Sequence, residues 1–352
     1  MTGERETTRG IWQCIRVGSR PARLLLLVSV VICYVLALSP GVQAETCFTA
    51  SDMDAATRSA LENTAKRYFD MASRGDTASL RQNSIPSVTS NFSGIEAAVK
   101  DNQSNFAGAQ ATPRPPFLLQ APGTAPIARA EFFCGVFGRN GQTSDSAEFI
   151  LPNLPPGNYG IVILDVTGGK IPNTLSFVLE QQGAAWKLGG FFAKAAQVSG
   201  HDGKWFLQKA DEFKAKGQLH NAWFYYIEAR DLMAPVPFMS TLATDKIYDQ
   251  AQSARPSDIP AGGPVDLVAG AKTYKVTTLF PLVVGNDLNL VVKFQSADVS
   301  NTTQAFQDNM AVTKALVTKY PEYRDAFAGI VARAVEPSGR DYGSLMPMKD
   351  IK

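Results

Sequence analysis

Residues 203–235 read as two helices folded against each other, and this stretch constrains the chain more than any other. In the first arm, 204–216, Phe206, Leu207, Ala210 and Phe213 recur at spacings of three and four, which puts them on one helical face with Lys209, Asp211, Glu212 and Lys214 mostly opposite. Gly217 ends that arm, as a glycine beyond a lysine-bearing last turn does. The second arm, 219–233, carries Ala222, Tyr226 and Ala229 at helical spacing, and Ala234-Pro235-Val236-Pro237 stops it because proline cannot continue a helix. Everything upstream and downstream must therefore be arranged on either side of a helical hairpin.

The order of small and aromatic positions in that hairpin, Ala210, Phe213, Gly217, Ala222, Tyr226 and Ala229 with Pro235 near its end, resembles one tetratricopeptide-type repeat. The pattern departs from the family in its start, in the late proline and in the absence of a second copy. Two roles follow from it: a hairpin packed between domains, or a repeat that contributes to a binding surface.

The amino terminus carries a leader. Arginines are followed by the apolar run 24–38, by Pro40 and Gly41, and by Val42-Gln43-Ala44, whose small residues suit cleavage between Ala44 and Glu45. The run is shorter than the roughly 20 residues that span a bilayer comfortably. The chain is expected to be exported to the periplasm or beyond; the alternative is a membrane anchor formed by an uncleaved leader. Removing 1–44 takes five arginines and two glutamates from 34 basic and 32 acidic residues, and the near-neutral remainder offers no electrostatic case for nucleic acid. With 45% hydrophobic and 19% charged residues, the composition is that of a globular protein and excludes a disordered one.

Cys14 and Cys33 belong to the leader, which leaves Cys47 and Cys134 as an even pair in an oxidising compartment. Paired, they close a loop of about ninety residues and contribute up to roughly 4–5 kcal/mol on the chain-entropy model; the alternative is two separate buried thiols. Two cysteines and two distant histidines, His201 and His220, make no zinc site, and no cofactor is expected.

In chain order, Ser51 or Asp52 caps a helix to residue 73, and further helices are expected over 77–83 and 94–106. Residues 107–126, rich in proline, alanine and glycine, read as an exposed loop. Strands over 129–137, 146–151, 159–167, 174–181 and 185–199 are separated by short turns such as Asn140-Gly141 and Pro155-Pro156-Gly157-Asn158, which predicts a curved antiparallel sheet. Three helices followed by such a sheet, closing on Trp186-Lys187-Leu188-Gly189-Gly190-Phe191-Phe192, resemble the nuclear-transport-factor-2-like cone fold of the SnoaL type. That resemblance implies a pocket between sheet and helices, which family members use either to hold a ligand or for catalysis by an aspartate, histidine or tyrosine.

The expected class is thus α+β: a leader over 1–44, helices on a curved sheet over 45–200, the helical hairpin region over 201–254, a linker over 255–264 of proline and glycine composition, and a β-β-α-β unit over 265–352 with an irregular tail from Glu336. Phosphate-binding glycine loops, HExxH, CxxC and GxSxG are all missing from the sequence, so no catalytic residue is assigned. Arg129, Glu131, Glu148 and Asp165 are strand charges expected on a solvent face, and His201 and His220 are expected at polar helix ends. Asn91, Asn102 and Asn301 head glycosylation sequons, which matter only in a eukaryotic secretory route. The leading expectation is an exported, non-enzymatic protein that binds a small apolar ligand or a protein partner. The alternative is a hydrolase or isomerase using a sheet carboxylate such as Asp165.

Overall fold

The computed structural model describes residues 44–137 and 141–352. The leader through Gln43, with Cys14 and Cys33, and the Asn140 half of the expected turn lie outside the described residues. The chain is a mixed α+β fold built mainly from antiparallel sheets.

A short strand β1 (Thr46–Phe48) leads into helix α1 (Ala55–Ser73). Its cap is Asp54, which accepts from Thr57 N, and not Asp52. Asp52 instead accepts from Thr49 N and Oγ1 at 3.1 and 2.6 Å, closing a turn before the helix. Helices α2 (Thr77–Gln82), α3 (Pro86–Ser90) and α4 (Ser93–Phe106) follow, α3 opening on a proline at its first turn.

Next come β2 (Gln110–Pro113), β3 (Phe117–Ala121), β4 (Ile127–Cys134), β5 (Ala147–Leu154), β6 (Gly157–Thr167), β7 (Asn173–Gln182) and β8 (Ala185–Ala195). Residues 107–126 are thus not one loop: they hold β2 and β3, both paired to β6. The proline at the end of β2 is tolerated because β2 pairs on one side only.

The expected single sheet is two. One runs β1-β3-β6-β7-β8 with β2 on β6, while β4 and β5 form a separate sheet with a strand from beyond the hairpin. β6 explains the split, because it is buried on both faces. Val162, Leu164 and Val166 join Tyr68, Phe69, Phe106 and Phe177 under the helices. Ile161 and Ile163 join Phe132, Phe149 and Ala130 of the second sheet. The result is three layers, helices on sheet on sheet, and aromatic side chains fill the space under the helices.

The hairpin helices are α5 (Gly203–Ala215) and α6 (Leu219–Met233), followed by β9 (Met239–Thr241) and α7 (Leu242–Ala254). α6 is buried nearly all round, including Ala222, Phe224, Tyr225, Tyr226 and Ala229. The carboxy-terminal sheet runs β10 (Val265–Ala269), β11 (Lys272–Val284), β12 (Asp287–Gln295), β13 (Gly329–Val335) and β14 (Asp341–Pro347), with α8 (Thr302–Lys319) crossing over between parallel β12 and β13. Two strands go beyond the expected β-β-α-β unit: β10 directly after the linker composition, and β14 in the tail expected to be irregular. The hairpin and this sheet share one core, in which Phe206, Phe213, Phe224 and Tyr226 meet Val292, Phe294, Tyr323 and Ile330. Segment 255–264 therefore joins elements buried against each other.

Candidate functional site

The two halves are stitched together just after α6. Pro235 ends the helix, and β9 pairs antiparallel with β5, Met239 opposite Phe149 and Thr241 opposite Ala147. Lys194 on β8 reaches across to the end of α6, where its Nζ donates to the Asp231 carbonyl, to Asp231 Oδ2 (2.9 Å) and to the Ala234 carbonyl (3.2 Å). A lysine at the carbonyls of a helix C-terminus is favourably placed against the helix dipole.

Against this seam lies a cavity of about 390 Å3, within the size range of small-molecule sites. Its apolar wall is Pro115, Pro116, Phe117, Ile163, Met233, Pro235 and Met239. Its polar rim is Thr49, Ser51, Arg58, Arg114, Ser144, Asp145 and Thr241. Each part is fixed by a local cause. Arg114 N donates to the Ile163 carbonyl (2.8 Å), which carries the β2 ladder one residue past Pro113 before the two prolines turn the chain into β3. Thr49–Ser51 follow Cys47, whose disulfide to Cys134 (Cα–Cα 4.9 Å) ties this wall to β4. Arg58 Nη1 donates to the Ala50 carbonyl (3.2 Å), and no ion pair holds Arg58 among the described residues.

The sheet charges do not gather into a reaction centre. Asp165 is half exposed and accepts from Arg114 Nε and Nη2, the shortest contact 2.6 Å. Arg129 pairs with Glu131 near the surface of β4, and Glu148 is half buried on β5. No group of three or more histidine, cysteine or acidic residues suited to a metal occurs among the described residues.

His201 is half buried and stacks on Trp205 at 3.7 Å. His220 is packed, not solvent-exposed: Nε2 lies 2.8 Å from Asp258 Oδ1 and Nδ1 lies 3.3 Å from Glu322 Oε1, with Tyr320 against its ring. Tyr320 Oη also donates to Asp258 Oδ2 (2.6 Å). Burial pushes the Asp258 carboxyl up, but the hydrogen bonds from Tyr320 and His220 outweigh it and hold the group below the usual range. This cluster clamps segment 255–264 and the 3-10 turn Pro321–Asp325 onto α6.

Glu228 on α6 is the group sequence reasoning missed. It is 7% exposed, and burial first, then the neighbouring Asp231, push its carboxyl up to about 7 against the pull of Lys194. It sits on the helix whose end supplies Met233 and Pro235 to the cavity. Of the sequons, Asn91 is exposed, while Asn102 donates back to the Ala98 carbonyl and Asn301 caps α8.

No protein-family model matches the chain, and no curated protein or solved structure is similar enough to it to indicate a relation. No helix among the described residues is long and apolar enough to cross a membrane.

Proposed function

We propose that the chain is an exported binding protein whose seam cavity holds one small, largely apolar molecule with an acidic or hydrogen-bonding end near Arg58. The observation that carries this reading is the cavity itself: seven apolar side chains from four separate segments converge on it, and a polar rim of hydroxyls, Asp145, Arg114 paired to Asp165, and Arg58 surrounds them. Its Thr49–Ser51 wall is fastened by the disulfide, which fits an oxidising compartment outside the cytoplasm. The cone-type resemblance supports ligand holding in general but puts the pocket under the helices, where Tyr68, Phe69, Phe106 and Phe177 are packed. The ligand site is therefore assigned to the other face of the sheet.

Titration with 1-anilinonaphthalene-8-sulfonate, a small apolar anion, tests the reading. Saturable binding of one dye per chain is expected, weakened several-fold by Arg58→Gln and abolished by Ser144→Trp, which plugs the exposed rim. Binding untouched by both variants places the dye elsewhere and overturns the assignment.

A further inference from the structure

β10 ends its sheet: among the described residues its one ladder is with β11, from Val265 opposite Val276 to Ala269 opposite Lys272. Among the described residues no backbone group of 265–270 makes a further backbone hydrogen bond, and the strand carries neither a proline nor a bulge to blunt its free edge. Beside that edge runs a groove of about 760 Å3 between β10 and one face of α8. Ala311 and Ala315, one turn apart, leave the floor shallow enough for a backbone to approach, and Val268 on the strand side is 66% exposed. The groove is preformed, because Lys272 Nζ and Tyr274 Oη both hold Asp308 of α8 at 2.8 Å.

Its charge selects the occupant. Lys314 and Lys319 line the groove and make no ion pair among the described residues. Asp266, the one acidic residue of the lining, is taken by Lys275 at 2.6 Å. Two copies of the chain joined edge to edge about a two-fold axis would bring their lysine pairs into one shared interface, which like-charge repulsion disfavours. We propose that this groove receives an extended, acidic segment of a partner protein, which adds to β10 as a sixth strand, places apolar side chains over Ala311 and Ala315, and sets carboxylates against Lys314 and Lys319. This site is separate from the seam cavity and does not depend on that assignment.

The test is fluorescence anisotropy with a labelled nonapeptide that carries valine and glutamate in turn at its odd positions, so that both kinds share the face turned to α8, and threonine at its even positions, with its lysine counterpart, and with two glutamate versions N-methylated at odd or at even positions. The glutamate peptide is expected to saturate with a Kd of roughly tens of micromolar, and the lysine peptide to bind at least about tenfold more weakly. Because a strand pairs through one edge, only one phase of N-methylation should abolish binding. The double variant Lys314→Glu/Lys319→Glu, at two exposed positions that leave the fold intact by circular dichroism, should reverse the charge preference. Equal affinity for both peptides, tolerance of both N-methylation phases, or no binding at millimolar peptide overturns the proposal. So does a concentration-dependent dimer that Val268→Lys dissolves, which would give the groove to a second copy.

Discussion

Glu228 shows how one carboxyl group is governed by its surroundings. Among the groups facing it are Tyr225 and Asp231 on its own helix and Lys194 from β8. Its carboxyl is raised from 4.5 to about 7, so the folded state holds a proton that the unfolded chain has already lost. Stability from this group is complete below about pH 4.5 and falls as pH rises through about 7. Glu228→Gln keeps the shape and removes the titration, so it should stabilise the protein at pH 8 by on the order of 2 kcal/mol while leaving pH 4 nearly unchanged. Urea denaturation of both proteins at the two pH values measures this; an equal difference at both would refute it. Nothing in 219–233 marks Glu228, since a glutamate in a helix ordinarily faces water, and Lys194, the cation that acts on it, lies far upstream in the sequence. His220 was hidden for the same reason, its two carboxylate neighbours standing at Asp258 and Glu322.

Helices and long strands were legible where the chain itself punctuates them. α8 begins after Asn301 and ends before Pro321, and β11 runs from Lys272 to Val284 and stops at Gly285-Asn286, because capping residues, prolines and glycine turns are local signals. β2, β3, β10 and β14 were not legible, because prolines and glycines obscure their alternation and the partner that makes each a strand lies elsewhere in the chain. The hairpin offers a test at this scale. A Cβ on Gly203 would stand 2.6 Å from Met233 Cγ and 3.0 Å from the Ala229 carbonyl oxygen, so the first turn of α5 meets the last turn of α6 without room for a methyl group. Gly203→Ala should therefore destabilise by about 1–2 kcal/mol, although alanine is the better helix former by about 1 kcal/mol. A thermal melt showing gain instead of loss would contradict this close approach. Asp258→Asn should cost a similar amount, about 1–2 kcal/mol, since it weakens the acceptor of both the His220 and Tyr320 bonds.

Across the molecule, the disulfide and the β5–β9 pairing decide what surrounds the cavity. Cys47 and Cys134 are 87 residues apart in sequence, and replacing both by serine should remove up to roughly 4–5 kcal/mol and lower the Tm by roughly 5–15 °C. It should also free the Thr49–Ser51 wall and weaken dye binding; a variant with unchanged Tm would refute the structural role. The α+β class, the helical hairpin and the pairing of Cys47 with Cys134 were readable from composition, period and parity. The cavity was not, because Arg58, Arg114, Ile163 and Met239 meet only through the two-sheet packing and the return of the chain after Pro235. In the sequence the spot is marked only by prolines, Pro115 and Pro116 between β2 and β3 and Pro235 and Pro237 after α6, where regular elements stop.

The most direct measurement is native mass spectrometry of the protein purified from its own host, beside the Ser144→Trp variant from the same host. A ligand-holding seam predicts one small mass per chain that unfolding releases from the native protein and that is missing from the variant. Identical masses for the two proteins, once the substitution is subtracted, would contradict it.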